Sequence, residues 1–199
     1  MSLPGVAAQD IMAPVLRNEQ IKALNTAEKS PRHAGVMVLC YPKNQEMYFV
    51  LILRPTYEGV HSDQVALPGG KAELYDANYE ETALRELGEE VGVPREDVHV
   101  ISTLTETYVP PSNYWVHPFF GYCDTTPDFI PQPEEVAKIV EVRLDELLDD
   151  AHVISEIVTA SYAKAIEVPT FKLNDYKVWG ATAMMLNELK VILKTSLNA

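Results

Sequence analysis

The chain has 199 residues, enough for one domain whose core needs no disulfide or structural metal. Its formal charge of −13, from 16 basic and 29 acidic residues, argues against a nucleic-acid partner, which wants a basic surface, but leaves room for a small polyanion bound through metal ions. No apolar run reaches the ~18 residues of a membrane span, the N-terminus lacks a basic-then-apolar leader pattern, and Cys40 and Cys123, each within an apolar run, read as buried thiols of a cytoplasmic protein.

The first thirty residues read as an N-terminal arm packed on the domain, with a short helix around Asn18–Glu28, and residues 31–199 as one domain. Gly35–Tyr41 and Met47–Leu53 are apolar and β-branched runs separated by Pro42-Lys43-Asn44-Gln45-Glu46, the pattern of a hairpin. A loop with Pro55, Gly59 and His61 leads to a short strand near Gln64–Leu67 that ends in Pro68-Gly69-Gly70. The strongest helix pattern spans Asn78–Val91, and Gly92 and Pro94 follow it in the expected order of stop signals. Strands are predicted at Val98–Leu104, Val116–Cys123 and Val136–Val142, then a short acidic helix at Leu144–Asp150. In the last helix, Val178–Thr195, the apolar residues Trp179, Ala183, Leu186, Leu189, Ile192 and Leu193 recur at helical spacing. Strands flanked by a central and a C-terminal helix predict a mixed sheet between helices.

The central helix carries the chemistry. At roughly 100° per residue from Ala83, Leu87, Val91 and Leu84 fall within a stripe of about 100°, which faces the core. Glu90, Glu86 and Glu89 fall beside it as one acidic face, and carboxylates three and four apart repel one another. Hard divalent cations such as Mg²⁺ or Mn²⁺ relieve that repulsion, because they favour carboxylate oxygens. Arg85 can reach Glu89 one turn on. Gly69-Gly70 lies where bare backbone can approach a metal or a phosphate, and Gly88 sits mid-helix at a cost of ~1 kcal/mol, which implies close approach by something or tight packing on the sheet. A solvated acidic face is the plain alternative for the glutamates alone.

The segment Arg85-Glu86-Leu87-Gly88-Glu89-Glu90-Val91-Gly92-Val93 resembles the second half of the Nudix box at every specified position. Its first half departs from that pattern: Asp76 stands in place of a glutamate, and eight residues separate it from Arg85 where seven are usual. This longer spacing, with Gly69-Gly70-Lys71 before it and Thr82-Ala83-Leu84 leading into Arg85, resembles the coenzyme A pyrophosphatase branch, as do Leu51–Arg54, His61, Val65–Lys71, Pro111-Ser112 and Trp179–Ala183. Pro55, Asp63, Leu67 and Ala72-Glu73-Leu74 differ from that branch.

The resemblance implies a Nudix α/β/α sandwich and a metal-dependent pyrophosphohydrolase. The implied substrate is coenzyme A or acyl-coenzyme A, yielding (acyl-)4′-phosphopantetheine and adenosine 3′,5′-bisphosphate. The rivals are ADP-ribose, a dinucleotide or a nucleoside triphosphate as substrate, or a nucleotide-sensing module that does no chemistry. Glu86, Glu89 and Glu90, with the Gly69 carbonyl, are the expected ligands of Mg²⁺ or Mn²⁺; Glu86 doubles as a general base, and Arg85 orients the set. Glu135 is favoured over Glu134 as a further carboxylate from downstream. Arg54, Lys71 and Gly70 are expected at the substrate phosphates, although a surface salt bridge serves equally for Arg54. Asp76 either shapes the glycine loop and the surroundings of the metal or caps the helix. His61 reads as a phosphate contact or a loop-fixing hydrogen bond, and His117 and Trp179 as structural, Trp179 anchoring the last helix in the core. Tyr108, Tyr114 and Trp115 read first as packing residues, one of which can stack on a base. Expected partners are a small nucleotide, with neither nucleic acid nor membrane; a homodimer is left open.

Overall fold

The computed structural model describes residues 2–15, 30–56, 63–160 and 163–197. In chain order the elements are α1 (Val6–Asp10), β1 (Arg32–Lys43), β2 (Glu46–Leu53), β3 (Val65–Ala66), β4 (Gly69–Lys71), α2 (Tyr79–Val91), β5 (His99–Thr103), β6 (Thr107–Val109), β7 (Tyr114–Tyr122), β8 (Lys138–Arg143), α3 (Leu144–Leu148), β9 (Val153–Ala160), β10 (Ala163–Leu173), β11 (Tyr176–Trp179) and α4 (Gly180–Leu197). The helix expected around Asn18–Glu28 lies outside the described residues.

β1 is the central strand. It pairs antiparallel with β2 through a hairpin that turns on Asn44 and Gln45 alone, both left-handed at φ 51° and 66°, a turn that matches the twist of the flanking strands. The expected five-residue loop is therefore two residues, because Pro42, Lys43 and Glu46 already belong to the ladder. Beyond Cys40 the two strands part. β4 takes the place beside β1, with Ala34 opposite Lys71, while β3 and β8 both pair with β2. β7 runs parallel to β1, so the sheet is mixed as expected; β5 and β6 continue it antiparallel to β7.

A period of two along β1 divides the core between the helices. Met37, Leu39 and Tyr41 pack with Ala83, Leu84, Leu87 and Val91 of α2. Val36, Val38 and Cys40 face the other way, toward Ala183, Met184, Leu186 and Leu189 of α4. Burial on both faces explains why β1 reads as an unbroken apolar run. Both cysteines are free and buried, and burial pushes their thiols up, to about 12 for Cys40 and about 11 for Cys123.

Two regions go beyond the sequence reading. β9, β10 and β11 form a second, three-stranded antiparallel sheet that contributes Val168, Phe171, Leu173 and Val178 to the core on the α4 side. Asn174 and Asp175, both at positive φ, make the β10–β11 turn, and this Asn-Asp pair between alternating residues was a readable hairpin signal. Val178 and Trp179 accordingly belong to β11, and the last helix starts at Gly180.

The second region is the N-terminal segment, which is tied to α4 through a wholly buried carboxylate. Glu188 accepts from the Gly5 N–H (3.2 Å), Gln9 Nε2 (2.9 Å), the Thr105 N–H (3.0 Å) and the Thr105 hydroxyl (2.6 Å). Gln9 is held in turn by the Thr107 hydroxyl, and Met12 and Ala13 enter the core beside α4.

Candidate active site

α2 is the frame of the site. Asn78 caps it, its side chain accepting from the Glu81 N–H at 2.9 Å, and Gly92 closes it in a left-handed conformation. Because Asn78 holds the cap, Asp76 does not cap this helix. Asp76 instead accepts from Arg85 Nε (3.0 Å) and Nη2 (3.1 Å), the Thr82 hydroxyl (2.8 Å) and the Glu73 N–H (2.9 Å). Arg85 beside it holds its carboxyl well below the usual carboxylate range. The loop before the helix is thus cross-braced to its middle.

Arg85 spends its other donors on Glu86 (2.8 Å), Glu89 (2.9 Å) and the Lys71 carbonyl (3.0 Å). The helical phase separates the three glutamates. Glu86 and Glu90 lie next to the apolar stripe and turn under the sheet, where Glu90 is 2 % exposed. Glu89 lies on the Arg85 side, its side chain 57 % exposed.

Among the described residues, Glu86, Glu90 and Glu135 form a cluster that can hold a metal ion, each offering an oxygen within 4.8 Å of the others. Glu135 arrives from a loop docked on the end of α2: the Ile130 N–H donates to the Val91 carbonyl and the Gln132 N–H to the Glu90 carbonyl, both at 2.9 Å. Val136 and Ala137 continue this loop, so the expected strand at Val136 starts at Lys138, and neither Glu134 nor Glu89 belongs to the cluster. The donor set is all carboxylate oxygen, the chemistry that suits Mg²⁺ or Mn²⁺. Electrostatics points the same way. Burial pushes the Glu90 carboxyl up to about 8, Glu86 and Glu135 add to the rise, and the Gly69 N–H and Arg54 oppose it. Glu86 is also raised, first by burial, with Glu89 and Glu135 contributing.

The glycines make room for these carboxylates. Gly69, at φ 147°, donates its N–H to Glu90 at 2.7 Å. A Cβ on Gly70 would stand 2.5 Å from the Glu86 carboxylate. Gly88 has no such reason: a Cβ there would meet only the Val93 carbonyl, at an ordinary 3.5 Å, so the tight packing on the sheet offered as a reason for its helix cost is not found among the described residues.

The cluster opens into a cleft of about 710 Å³ on the α4 side of the sheet. Arg54, Gly69, Gly70, Lys71, Glu86, Glu90 and Glu135 all line it. Arg54 makes no ion pair among the described residues, and its Nε is buried without a hydrogen-bond partner. Lys71 sits at the rim, 3.2 Å from Glu73. Across from them stand Val36, Val65, Leu67, Met184, Met185 and Trp179.

Trp179 is therefore half-buried in the cleft wall rather than anchored in the core, because β11 and not the helix carries it. Tyr108 and Tyr114 also line the cleft, the Tyr108 hydroxyl donating to Asn113, whereas Trp115 packs against Tyr108 outside it. His117 stacks on Tyr79 at 3.8 Å and meets His33 at 2.9 Å, away from the cleft; burial holds it below the ordinary histidine value. His61 lies outside the described residues. Sequence reasoning did not single out Arg32, Met184 and Met185 as cleft residues. Arg32 was within reach of a parity argument, since it shares a β1 face with Ala34 and Val36, which line the same cleft.

A mixed sheet between helices, with a carboxylate cluster at the floor of a cleft, defines an α/β protein equipped to hold a divalent metal against an anionic ligand. Residues 31–161 match the NUDIX domain family, and the chain belongs to that family. An uncharacterized Nudix hydrolase NudL of Pectobacterium atrosepticum is 33% identical over 167 residues, 79% of this chain and 81% of the relative. Its namesake in Photorhabdus laumondii is 32% identical over 162 residues, 79% and 83%. Among solved structures, the Nudix hydrolase RenU of M. smegmatis matches with a TM-score of 0.57 at 17% identity, over 83% of this chain and 87% of that one. A C. elegans Ap4A hydrolase binary complex matches at 0.55 and 15%, over 82% and 98%. The protein is a Nudix hydrolase, an enzyme of pyrophosphate bonds, with the α/β/α sandwich its sequence implied. Among the described residues no helix is long and apolar enough to cross a membrane.

Proposed function

We propose that the protein hydrolyses coenzyme A or an acyl-coenzyme A to (acyl-)4′-phosphopantetheine and adenosine 3′,5′-bisphosphate. The observation that carries this reading is the make-up of the cleft: the carboxylate cluster and Arg54 share one cavity with a wall of Val36, Val65, Leu67, Met184 and Met185. Its volume of about 710 Å³ lies well within the range of sites that enclose a whole small ligand. A nucleoside triphosphate has no limb for such a wall. The pantetheine arm of coenzyme A, with or without an acyl group, does. The long spacing between Gly70 and Arg85 supports the same branch.

Glu86, Glu90 and Glu135 would hold Mg²⁺ or Mn²⁺, with the Gly69 carbonyl as a further ligand. Bound there, the metal supplies charge for the pyrophosphate oxygens and acidity for a water. Arg54 offers its unpartnered Nε to a phosphate oxygen beside Glu90, and Lys71 reaches the same group from the rim. Glu86 accepts a proton from the attacking water as a P–O bond of the pyrophosphate breaks. Arg85 keeps Glu86 oriented, and Glu89 acts through Arg85.

The test is a substrate panel with Mg²⁺ or Mn²⁺, products identified by mass: coenzyme A, acetyl- and longer acyl-coenzyme A, ADP-ribose, NADH, a diadenosine polyphosphate and nucleoside triphosphates. Release of adenosine 3′,5′-bisphosphate with the highest kcat/KM is the expected result. A higher value for ADP-ribose or for the diadenosine compound, the substrate named for the C. elegans relative in fold, keeps the pyrophosphatase and discards coenzyme A.

A further inference from the structure

In a chain with 29 acidic against 16 basic residues, an arginine without a carboxylate partner is conspicuous. Among the described residues, Arg85, Arg95 and Arg143 each lie within ion-pair distance of an aspartate or glutamate. Arg32 and Arg54 do not, and both line the cleft. Arg54 stands beside the carboxylate cluster, where its field acts on Glu90. Arg32 stands elsewhere. Gly35 pairs with Gly70, against which Glu86 lies, and Arg32 is three residues back along β1, about 10 Å at the rise of a strand.

Arg32 is also held in place. Its guanidinium lies over the Tyr114 ring at 4.3 Å, and Nη2 donates to the Ser112 carbonyl at 3.2 Å. A guanidinium carries five N–H donors in a fixed fork, so this anchoring leaves others for a ligand in the cleft. A cation pre-positioned by an aromatic face and a carbonyl, with no carboxylate among the described residues in ion-pair contact with it, is suited to a phosphate oxygen pair. Two such arginines in one cleft call for two separate anionic groups on one ligand.

We propose that Arg32 binds a phosphomonoester on the ribose of the substrate, at a subsite distinct from the one that holds the pyrophosphate. Resting on the reading above, this group is the 3′-phosphate of coenzyme A, one sugar ring away from the scissile pyrophosphate. Arg32 is then the residue by which the enzyme tells coenzyme A from 3′-dephospho-coenzyme A, and adenosine 3′,5′-bisphosphate from AMP. It touches no reacting atom, so its contribution appears in substrate binding rather than in the chemical step.

Two measurements test this. The first compares kcat/KM for coenzyme A and 3′-dephospho-coenzyme A in the parent, Arg32→Ala and Arg32→Lys, with Mg²⁺ present. A charge-assisted contact corresponds to a preference of about 10- to 100-fold in the parent. That ratio is expected to fall toward one in Arg32→Ala, chiefly through KM for coenzyme A, and to be partly kept in Arg32→Lys, which retains the charge but not the fork. The second is calorimetric binding of adenosine 3′,5′-bisphosphate and of AMP, which needs no turnover. A parent that binds the two equally, or an Arg32→Ala variant that keeps the parent's preference, overturns the subsite even if coenzyme A is hydrolysed. A preference for the bisphosphate that vanishes in Arg32→Ala, in an enzyme that leaves coenzyme A intact, keeps the subsite and discards the coenzyme A reading. Arg32 is exposed and outside the core, so both variants should fold as the parent does.

Discussion

Glu90 and Glu188 are both carboxylates with almost no exposed surface, 2 % and 0 %, yet the protein surrounds them in opposite ways. Glu188 receives four hydrogen bonds that use both of its oxygens and join three separate stretches of chain. Among the described residues the Glu90 carboxylate receives one hydrogen bond, from the Gly69 N–H, and it faces two further carboxylates across the floor of the cleft. A buried anion costs free energy unless it is paired or hydrogen-bonded. At Glu188 the fold meets that cost itself, and the residue becomes a staple. At Glu90 the fold leaves the cost open to be met by a ligand, and the raised carboxyl is the sign of it. Burial alone does not separate structural from functional acids; the count of donors around them does.

The contrast can be broken by experiment. Chelation with EDTA is expected to abolish hydrolysis, and Mg²⁺ or Mn²⁺ to restore it. Glu90→Gln should lower kcat by more than about 100-fold, beyond the usual cost of disturbing a residue that only supports a metal ligand. Its metal-free Tm should hold or rise, since the amide carries no charge that burial could penalise at any pH and its oxygen can still accept from Gly69. Mg²⁺ should raise the Tm of the parent and not that of the variant, as expected for a ligand that binds only the folded state. Turnover that survives in EDTA, or a Glu90→Gln protein that unfolds, would remove Glu90 from the metal site.

Glu188→Ala should do the reverse. The Gly5 and Thr105 N–H groups and Gln9 lose their acceptor, at a cost of about 3 kcal/mol or more. Tm should drop by several degrees, with kcat near the parent value at a temperature where the variant remains folded. A loss of kcat with unchanged Tm would mean that this carboxylate has a part in catalysis.

Asp76→Asn sharpens the comparison on the catalytic side. Asp76 reaches Glu86 and Glu89 only through Arg85, and the loss expected in kcat is about 10-fold, with KM little changed. The sign of its pH effect is also determined. A carboxyl depressed in the folded state contributes stability above its unfolded value of about 3.9, and that stability is lost as pH falls below it. The parent should therefore lose Tm more steeply than Asp76→Asn on acidification below about pH 4. Parallel curves would show that the Asp76–Arg85 brace carries no stability.

The smallest effect is expected at Gly88, where the site makes no demand. Gly88→Ala should raise stability by up to about 1 kcal/mol with activity unchanged, because the added methyl meets only ordinary contact. A loss of activity would mean that substrate or metal comes closer to this helix than the cleft suggests.

The sequence by itself determined the central helix, its Asn78 start and Gly92 stop, the apolar run of β1 and the acidic face beside the core stripe. All of these rest on local periodicity and capping, which act over a turn or two of chain. Only the tertiary structure decided which glutamates cluster. The one-dimensional phase put Glu86, Glu89 and Glu90 on one face, but about 60° of rotation leaves Glu89 with Arg85 in solvent and carries Glu90 under the sheet. Glu135 joins them through backbone bonds from a loop 45 residues beyond Glu90, a closure that no local pattern encodes. The same holds for Trp179, which short-range spacing assigned to a helix and strand pairing placed in β11, and for Glu188, whose four donors come from positions 5, 9 and 105. Propensity and phase are properties of neighbours in the chain. Which charge is left unpaired at the floor of a cleft is a property of neighbours in space.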